Sequence, residues 1–234
     1  MIPEINIQEL LKARVHFGHL TDKWNPYMKS YILFEKKGIH IIDLFKTRKN
    51  LIKFWDPLKM IASSGKKILF VCTKKQGKKI ISNYAQKVNM PYVTERWLGG
   101  LLTNIFTIRK SITKMNTIDR NKKEGIYDKL SKKEQLLIER LQTKLNRTLG
   151  TISQMNNLPS AIIIVDINKE HLAVKEAKKL NIPIFALVDT NSNPKEIDYP
   201  IPANDDSSKS IEFIISYLTQ AINEGLSIKK SNIN

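Results

Sequence analysis

Lys66-Lys67-Ile68-Leu69-Phe70-Val71-Cys72-Thr73 is the stretch whose reading decides the fold. Its apolar residues run without interruption from Ile68 to Cys72 after a Gly-Lys turn. A strand with one wet face alternates apolar and polar residues. An unbroken run reads instead as a strand buried on both faces, the habit of a parallel sheet covered by helices. Outward from this strand, residues 76–88 have helical spacing and Pro91-Tyr92-Val93 reads as a short strand. The alternation returns in the second half. Ala161-Ile162-Ile163-Ile164-Val165-Asp166 reads as a buried strand and 169–180 as an amphipathic helix. Ile182-Pro183-Ile184-Phe185-Ala186-Leu187-Val188-Asp189 is a further strand, and Tyr199-Pro200-Ile201-Pro202 a short edge strand. A final helix is expected over 207–224, capped by Ser207 or the Asp205-Asp206 pair, with Gly225 just past its end. Strands alternating with helices predict an α/β fold with a doubly wound, mainly parallel sheet.

Upstream, Ile7, Leu10, Leu11 and Val15 give residues 7–15 a short helical face. Apolar runs at 31–34 and 39–44, split by Lys36-Lys37-Gly38, read as a hairpin, and helical spacing resumes over 47–63. The stretch 104–150 breaks the α/β rhythm. Ile105, Ile108, Ile112 and Met115 form one apolar stripe; Leu137, Leu141 and Leu145 form another, joined by Leu130, Ile138 and Leu149. A polar turn containing Gly125 separates them, and Ser131 with Glu134 makes a capping box. This predicts an inserted helical hairpin, projecting as an antiparallel coiled coil, on an α/β domain of residues 1–103 and 151–226; the alternative is two helices packed flat on the sheet. Residues 227–234, rich in Lys, Ser and Asn, read as a disordered tail.

Charge is distributed unevenly along the 234 residues. Residues 1–123 carry 25 Lys and Arg against 8 Asp and Glu, whereas residues 124–234 carry 14 of each. An excess confined to one half is the electrostatic footprint of a polyanion ligand; the competing explanation, a compositional bias toward lysine, does not account for the balance after residue 123. No apolar run approaches the roughly 20 residues of a membrane span. The N-terminus lacks the basic-then-apolar order of a secretory signal, so a cytoplasmic location is expected. The lone cysteine, Cys72, rules out an intramolecular disulfide and cysteine-based zinc motifs, and reads as a small buried hydrophobe.

Five segments together carry a family resemblance. They are Val15-His16-Phe17-Gly18-His19, Trp24-Asn25-Pro26-Tyr27-Met28, Gly38-Ile39-His40-Ile41-Ile42-Asp43-Leu44, Arg96-Trp97-Leu98-Gly99-Gly100-Leu101-Leu102-Thr103-Asn104, and Ile201-Pro202-Ala203-Asn204-Asp205-Asp206. In order and spacing they resemble the S2 family of bacterial small-subunit ribosomal proteins, from about residue 7 to about residue 226. The resemblance implies a flavodoxin-like, Rossmann-like α/β domain with a projecting helical hairpin. It implies a ribosome-bound structural protein, not an enzyme and not an independent homo-oligomer. Its expected place is the solvent side of the small subunit near the head–body junction. There it would bind small-subunit rRNA, touch neighbouring ribosomal proteins and help dock the mRNA-binding protein S1. No cofactor is implied. Tyr27 stands where the family often has a basic residue, and Ala203 where it often has glycine.

The residues have physical readings of their own. Arg96 suits a bidentate phosphate contact, and Gly99-Gly100 lets backbone approach a phosphate, with Trp97 packed in the core. Thr73-Lys74-Lys75-Gln76-Gly77-Lys78-Lys79 follows a buried parallel strand, where such sheets bind ligands. It lacks GxGxxG and GxxxxGK[ST], and its lysines suit a sugar-phosphate backbone; Lys74 and Lys75 are the RNA candidates, against a solvated charged face. Arg109, Lys110, Lys114, Arg120, Lys122 and Lys123 are the cations of the hairpin's first arm. Lys23, Asn25 and Lys29 are candidates in the N-terminal loop, where Trp24 and Tyr27 either stack on bases or seal the loop. His16, His19, Asp189 and Asp205 could meet in the sheet's crevice. Such a group either holds a divalent cation, Zn²⁺ if imidazoles dominate and Mg²⁺ if carboxylates do, or forms a polar network that satisfies buried groups.

Two other functions are weighed. A nucleotide-dependent enzyme fits the fold class, but the chain lacks a phosphate fingerprint, a nucleophile elbow and a convincing acid/base pair. A protein-docking module is compatible with the ribosomal reading.

Overall fold

The computed structural model describes residues 3–125, 127, 130–153, 155 and 157–231. Helix α1 (Ile7–Lys12) is followed by strands β1 (Phe17–Leu20), β2 (Ile32–Lys36) and β3 (Ile39–Ile42), and by helix α2 (Leu44–Ser63). Then come β4 (Ile68–Val71), α3 (Lys78–Lys87), β5 (Tyr92–Val93), the long helices α4 (Ile105–Lys123) and α5 (Lys132–Leu149), and β6 (Ala161–Val165). Helix α6 (His171–Lys179), β7 (Ile184–Val188), β8 (Tyr199–Pro202) and α7 (Ser208–Ser231) complete the chain.

β4 to β8 form one sheet in the order β5-β4-β6-β7-β8, with every neighbouring pair parallel. Counted from β4, that is strand order 2-1-3-4-5, the flavodoxin-like form of a doubly wound fold. The expected α/β architecture is therefore present. In the deciding strand, Ile68 and Phe70 face the core shared with α2, α3 and α7, while Leu69 and Val71 face the core shared with α6 and the Trp97 loop. Both faces are covered, which is why no polar residue could alternate. One register row, Tyr92, Phe70, Ile163, Phe185 and Tyr199, crosses the whole sheet. It ends with the Phe185 and Tyr199 rings stacked at 4.2 Å. Prolines 200 and 202 occupy the edge strand β8, where a missing amide donor costs no ladder bond on the open side.

The N-terminal hairpin β2–β3 forms as expected, but β1 joins it to give a second, antiparallel sheet in the order β1-β3-β2. β1 is short and lies across the Gly18 motif, so its sequence shows no alternation long enough to reveal a strand. Its close seat explains Gly18: an added Cβ would stand 2.5 Å from Thr190 Cγ2 and 2.7 Å from Thr190 Oγ1.

α4 and α5 pack on each other along Ile108, Ile112, Met115, Leu145 and Leu149, all buried or half-buried. Leu137 lies outside this seam, 57% exposed, and the half-buried Ile138 takes its place. The capping box on Ser131 and Glu134 is present.

At the C-terminus the expectation is corrected. α7 runs on to Ser231, so residues 227–231 are helical; residues 232–234 lie outside the described residues. Gly225 is not past a helix end but inside α7, against α2. A Cβ there would stand 2.4 Å from Lys59 O and 2.8 Å from Ala62 Cβ. Alanine is the better helix former by about 1 kcal/mol. Gly225→Ala is nevertheless expected to destabilise the protein by about 1–3 kcal/mol, because the two helices must separate. Urea unfolding of the variant measures this; a gain in stability would contradict the close crossing.

Candidate nucleic-acid interface

The Arg96–Asn104 motif leaves the carboxyl end of β5 and leads into α4. Its organiser is a residue that no motif pointed to. Glu176, on α6, accepts from Trp97 Nε1 at 3.0 Å and Gly100 N at 2.7 Å through one oxygen. Through the other it accepts from Leu102 N at 2.9 Å, Thr103 N at 3.1 Å and Thr103 Oγ1 at 3.2 Å. Burial raises the Glu176 pKa, but these donors outweigh it and hold the carboxyl below its ordinary range. Gly100 takes a φ of +84°, which glycine adopts without strain. Trp97, 6% exposed, is a core residue as expected, and Arg96 is exposed. Asn104 caps α4 by accepting from Thr107 N.

Beside Arg96, a cleft of about 590 Å³ opens against α5, lined by Arg96, Arg140, Lys144 and Arg147 among others. Arg140, Lys144 and Arg147 are spaced four and three apart, so they share one helix face. That spacing was a readable signal, and the sequence reading passed over it for the cations of α4. Glu95 and Glu139 also line the cleft. Glu95 ties Arg147, at 2.9 Å and 2.6 Å, and Lys78, at 3.3 Å. On α4, Lys110, Lys114 and Lys123 are exposed. Arg120 stands 3.8 Å from Glu124, and Lys122 bonds Gln142 Oε1 at 2.6 Å. Arg109 is exposed on the same helix.

In the N-terminal loop Lys23 and Lys29 are exposed. The Asn25 side chain instead accepts from Tyr27 N, while its backbone amide donates to Thr190 O at 2.7 Å. Asn25 thus pins the loop. Trp24 packs 5.3 Å from the His40 ring, and Lys195 Nζ lies 4.1 Å above the exposed Tyr27 ring.

The crevice where the strand order reverses, between the carboxyl ends of β4 and β6, separates Lys74 from Lys75. Lys75 is exposed. Lys74 turns inward, its side chain 12% exposed, with Nζ 2.5 Å from Asp205 Oδ1, 2.7 Å from Asp206 Oδ1 and 3.0 Å from Asp166 Oδ2. Burial disfavours the ammonium, but the fields of Asp205 and Asp166 and the bonds to Asp205 and Asp206 overcome it and raise its pKa. Lys74 is therefore the counter-ion of a carboxylate cluster, not a cation facing outward. Glu170 closes the other side by accepting from Thr73 N at 2.8 Å and Thr73 Oγ1 at 2.5 Å. A crevice lined this way repels a phosphate, which removes the geometric basis for a nucleotide enzyme. Burial pushes the Cys72 thiol up to about 12, so it is no nucleophile at neutral pH.

The histidines separate as well. Three apart on an extended chain, they point to opposite faces. His19 reaches the crevice, with Nδ1 3.2 Å from Asp189 Oδ2 and Nε2 3.5 Å from Asp206 Oδ2. His16 lines an apolar groove of about 570 Å³ with Leu11, Phe17, Leu33, Phe34 and Phe45, and burial lowers its pKa. The expected grouping thus holds for His19, Asp189 and Asp205, gains Asp206, and loses His16. Asp205 and Asp206 are engaged with Lys74, leaving Ser207 at the cap position of α7.

Comparison with known proteins supplies the family. A family model described as "Ribosomal protein S2" matches residues 10–225. The chain is 61% identical over 217 residues to the "Small ribosomal subunit protein uS2" of Karelsulcia muelleri (strain GWSS), covering 93% of this chain and 98% of that one. It is 57% identical over 231 residues to the protein of that name from Christiangramia forsetii, covering 99% and 77%. The Flavobacterium johnsoniae protein of the same name is 57% identical over 227 residues, covering 97% and 89%.

Proposed function

This chain belongs to the ribosomal protein S2 family, and we propose that its positive surfaces bind small-subunit rRNA. It is a structural protein of the small ribosomal subunit, acting in translation in the cytoplasm, and not an enzyme. The observation that carries the rRNA reading is the cleft between the Glu176-braced Arg96 loop and α5, where Arg96, Arg140 and Lys144 converge. Guanidinium forks and ammonium groups on a rigid helix suit a sugar-phosphate backbone, and shape rather than base edges would carry specificity. Lys110, Lys114 and Lys123 on α4, Lys75 beyond β4, and Lys23 and Lys29 in the N-terminal loop extend the cationic surface. Arg109, Arg120 and Lys122 belong to the same arm.

In this reading residues 104–150 act as a coiled-coil hairpin inserted in the α/β body of residues 1–103 and 151–226, and reach along the RNA near the head–body junction on the solvent side. Neighbouring ribosomal proteins, S1 among them, dock on the remaining surface. The apolar groove of Leu11, Phe17, Leu33, Phe34 and Phe45, with Lys36 and Lys37 in its wall, favours such docking. Nothing in this role calls for a cofactor.

Filter binding to small-subunit rRNA across a salt series tests the cleft. Combining Arg140→Ala with Lys144→Ala is expected to reduce the slope of log K against log salt by about 1.4–1.8, the share of two released phosphate contacts. An unchanged slope would remove the cleft from the interface.

A further inference from the structure

We infer that Phe106 is a stacking platform for an unpaired base of the rRNA. The inference rests on the rRNA reading and adds to it a contact that charge does not supply. Phe106 is 76% exposed, more than any other large hydrophobic side chain among the described residues. It packs into neither hydrophobic core. Two residues before Ile108 and nine before Met115, both buried, it falls on the face of α4 turned away from the seam with α5.

Folding does not account for a ring at this position. Alanine is the better helix former, and an exposed phenyl leaves apolar surface in water. The ring is nevertheless firmly placed. Asn104, the cap of α4, accepts from Thr107 N and, at 2.9 Å, from Thr107 Oγ1. The loop before it is fastened to Glu176 from Trp97 to Thr103. Phe106 stands in the first turn after these ties, so it is held ready for a flat ligand at little cost in ordering.

The surroundings select the ligand. Thr103, Arg109, Lys110 and Thr113 share the side of α4 that carries Phe106, and all four are exposed. A protein-docking face has an apolar centre of several residues inside a polar rim. One ring among cations and hydroxyls has room for a single planar group instead. No acidic residue lies between Glu95 and Asp119, and the Asp119 carboxylate accepts from the Gln142 amide. This face therefore attracts a polyanion. A planar group carried on a polyanion is a nucleic-acid base. The phenyl takes the π-face of the base, and Arg109 and Lys110, one helical turn on, take the flanking phosphates. Bases inside a duplex are already stacked on their neighbours, so the base that reaches Phe106 comes from a loop, a bulge or an end.

Filter binding of the full-length protein to small-subunit rRNA tests this, with a fully paired RNA duplex as the comparison ligand. Phe106→Ala is expected to weaken rRNA binding about 5- to 150-fold, the range for one stacked base. The slope of log K against log salt should not change, because no cation is removed. Phe106→Tyr should retain the affinity and Phe106→Leu should lose it, since stacking needs an aromatic face. Binding to the duplex should be the same in all four proteins. Unchanged rRNA affinity in Phe106→Ala, full affinity in Phe106→Leu, or an equal loss on the duplex would each overturn the stacking assignment and leave the cationic cleft standing. Normal rRNA affinity with poor incorporation of Phe106→Ala into subunits would also overturn it, by giving the ring to a protein neighbour. Failure of the unaltered chain to bind rRNA would overturn the rRNA reading itself, and the stacking with it.

Discussion

Glu176→Ala is expected to lower the unfolding free energy by about 3 kcal/mol or more, an unusually large effect for a half-buried surface-helix residue. The Glu176 carboxylate accepts from the Trp97 indole, three backbone amides and the Thr103 hydroxyl. Water can reach the donors of Thr103, which is exposed, but Trp97 and Leu102 are buried. A donor left unsatisfied in such surroundings costs about 1–3 kcal/mol. Urea unfolding followed by tryptophan emission measures the loss; a change below about 1 kcal/mol would mean that Trp97 packing holds the loop unaided. The same carboxylate gives a pH signature. Its folded pKa lies below the ordinary value of 4.5. Its contribution is therefore complete above that value and is lost as pH falls through the folded pKa. The acid limb of the stability profile should flatten in Glu176→Ala. Because this loop leads into α4, the variant should also weaken rRNA binding without removing one cation.

Lys74→Ala is expected to cost about 3–5 kcal/mol, since removing one partner strands buried charge on the others. Asp205 and Asp166 are the residues stranded; both lie in the protein interior. The neighbouring Lys75→Ala is expected to change stability by no more than about 0.5 kcal/mol while lowering the rRNA salt slope by about 0.7–0.9. Two adjacent lysines in one loop thus have opposite signatures. Paired urea titrations and salt-dependent binding curves distinguish them. A Lys74→Ala variant of normal stability but reduced salt slope would contradict the inward assignment.

The contrast between these lysines marks what the sequence could show. The buried strands at 68–71, 161–165 and 184–188 were legible because a strand covered on both faces must be apolar at every position, whatever its neighbours. The seam of α4 was legible because a helix packed on one side repeats its apolar residues locally. Lys74 was not legible, because its partners Asp166, Asp205 and Asp206 lie far along the chain and meet only through the sheet topology. Glu176 was hidden for the same reason: on its own helix it reads as an ordinary solvated residue, and its donors come from residues 97–103. Gly225 was misread because a glycine near an expected helix end has two local explanations, a cap or a close helix contact. Only the backbone of α2 decides for the contact.

The central claim is tested most directly by sedimenting a native cell extract through sucrose at low and at high salt and detecting this chain in each fraction. Co-migration with the small ribosomal subunit at low salt, with release at high salt, is the predicted result. Recovery only in the soluble fraction at both salts would contradict the assignment to the subunit and the cationic cleft as its rRNA contact.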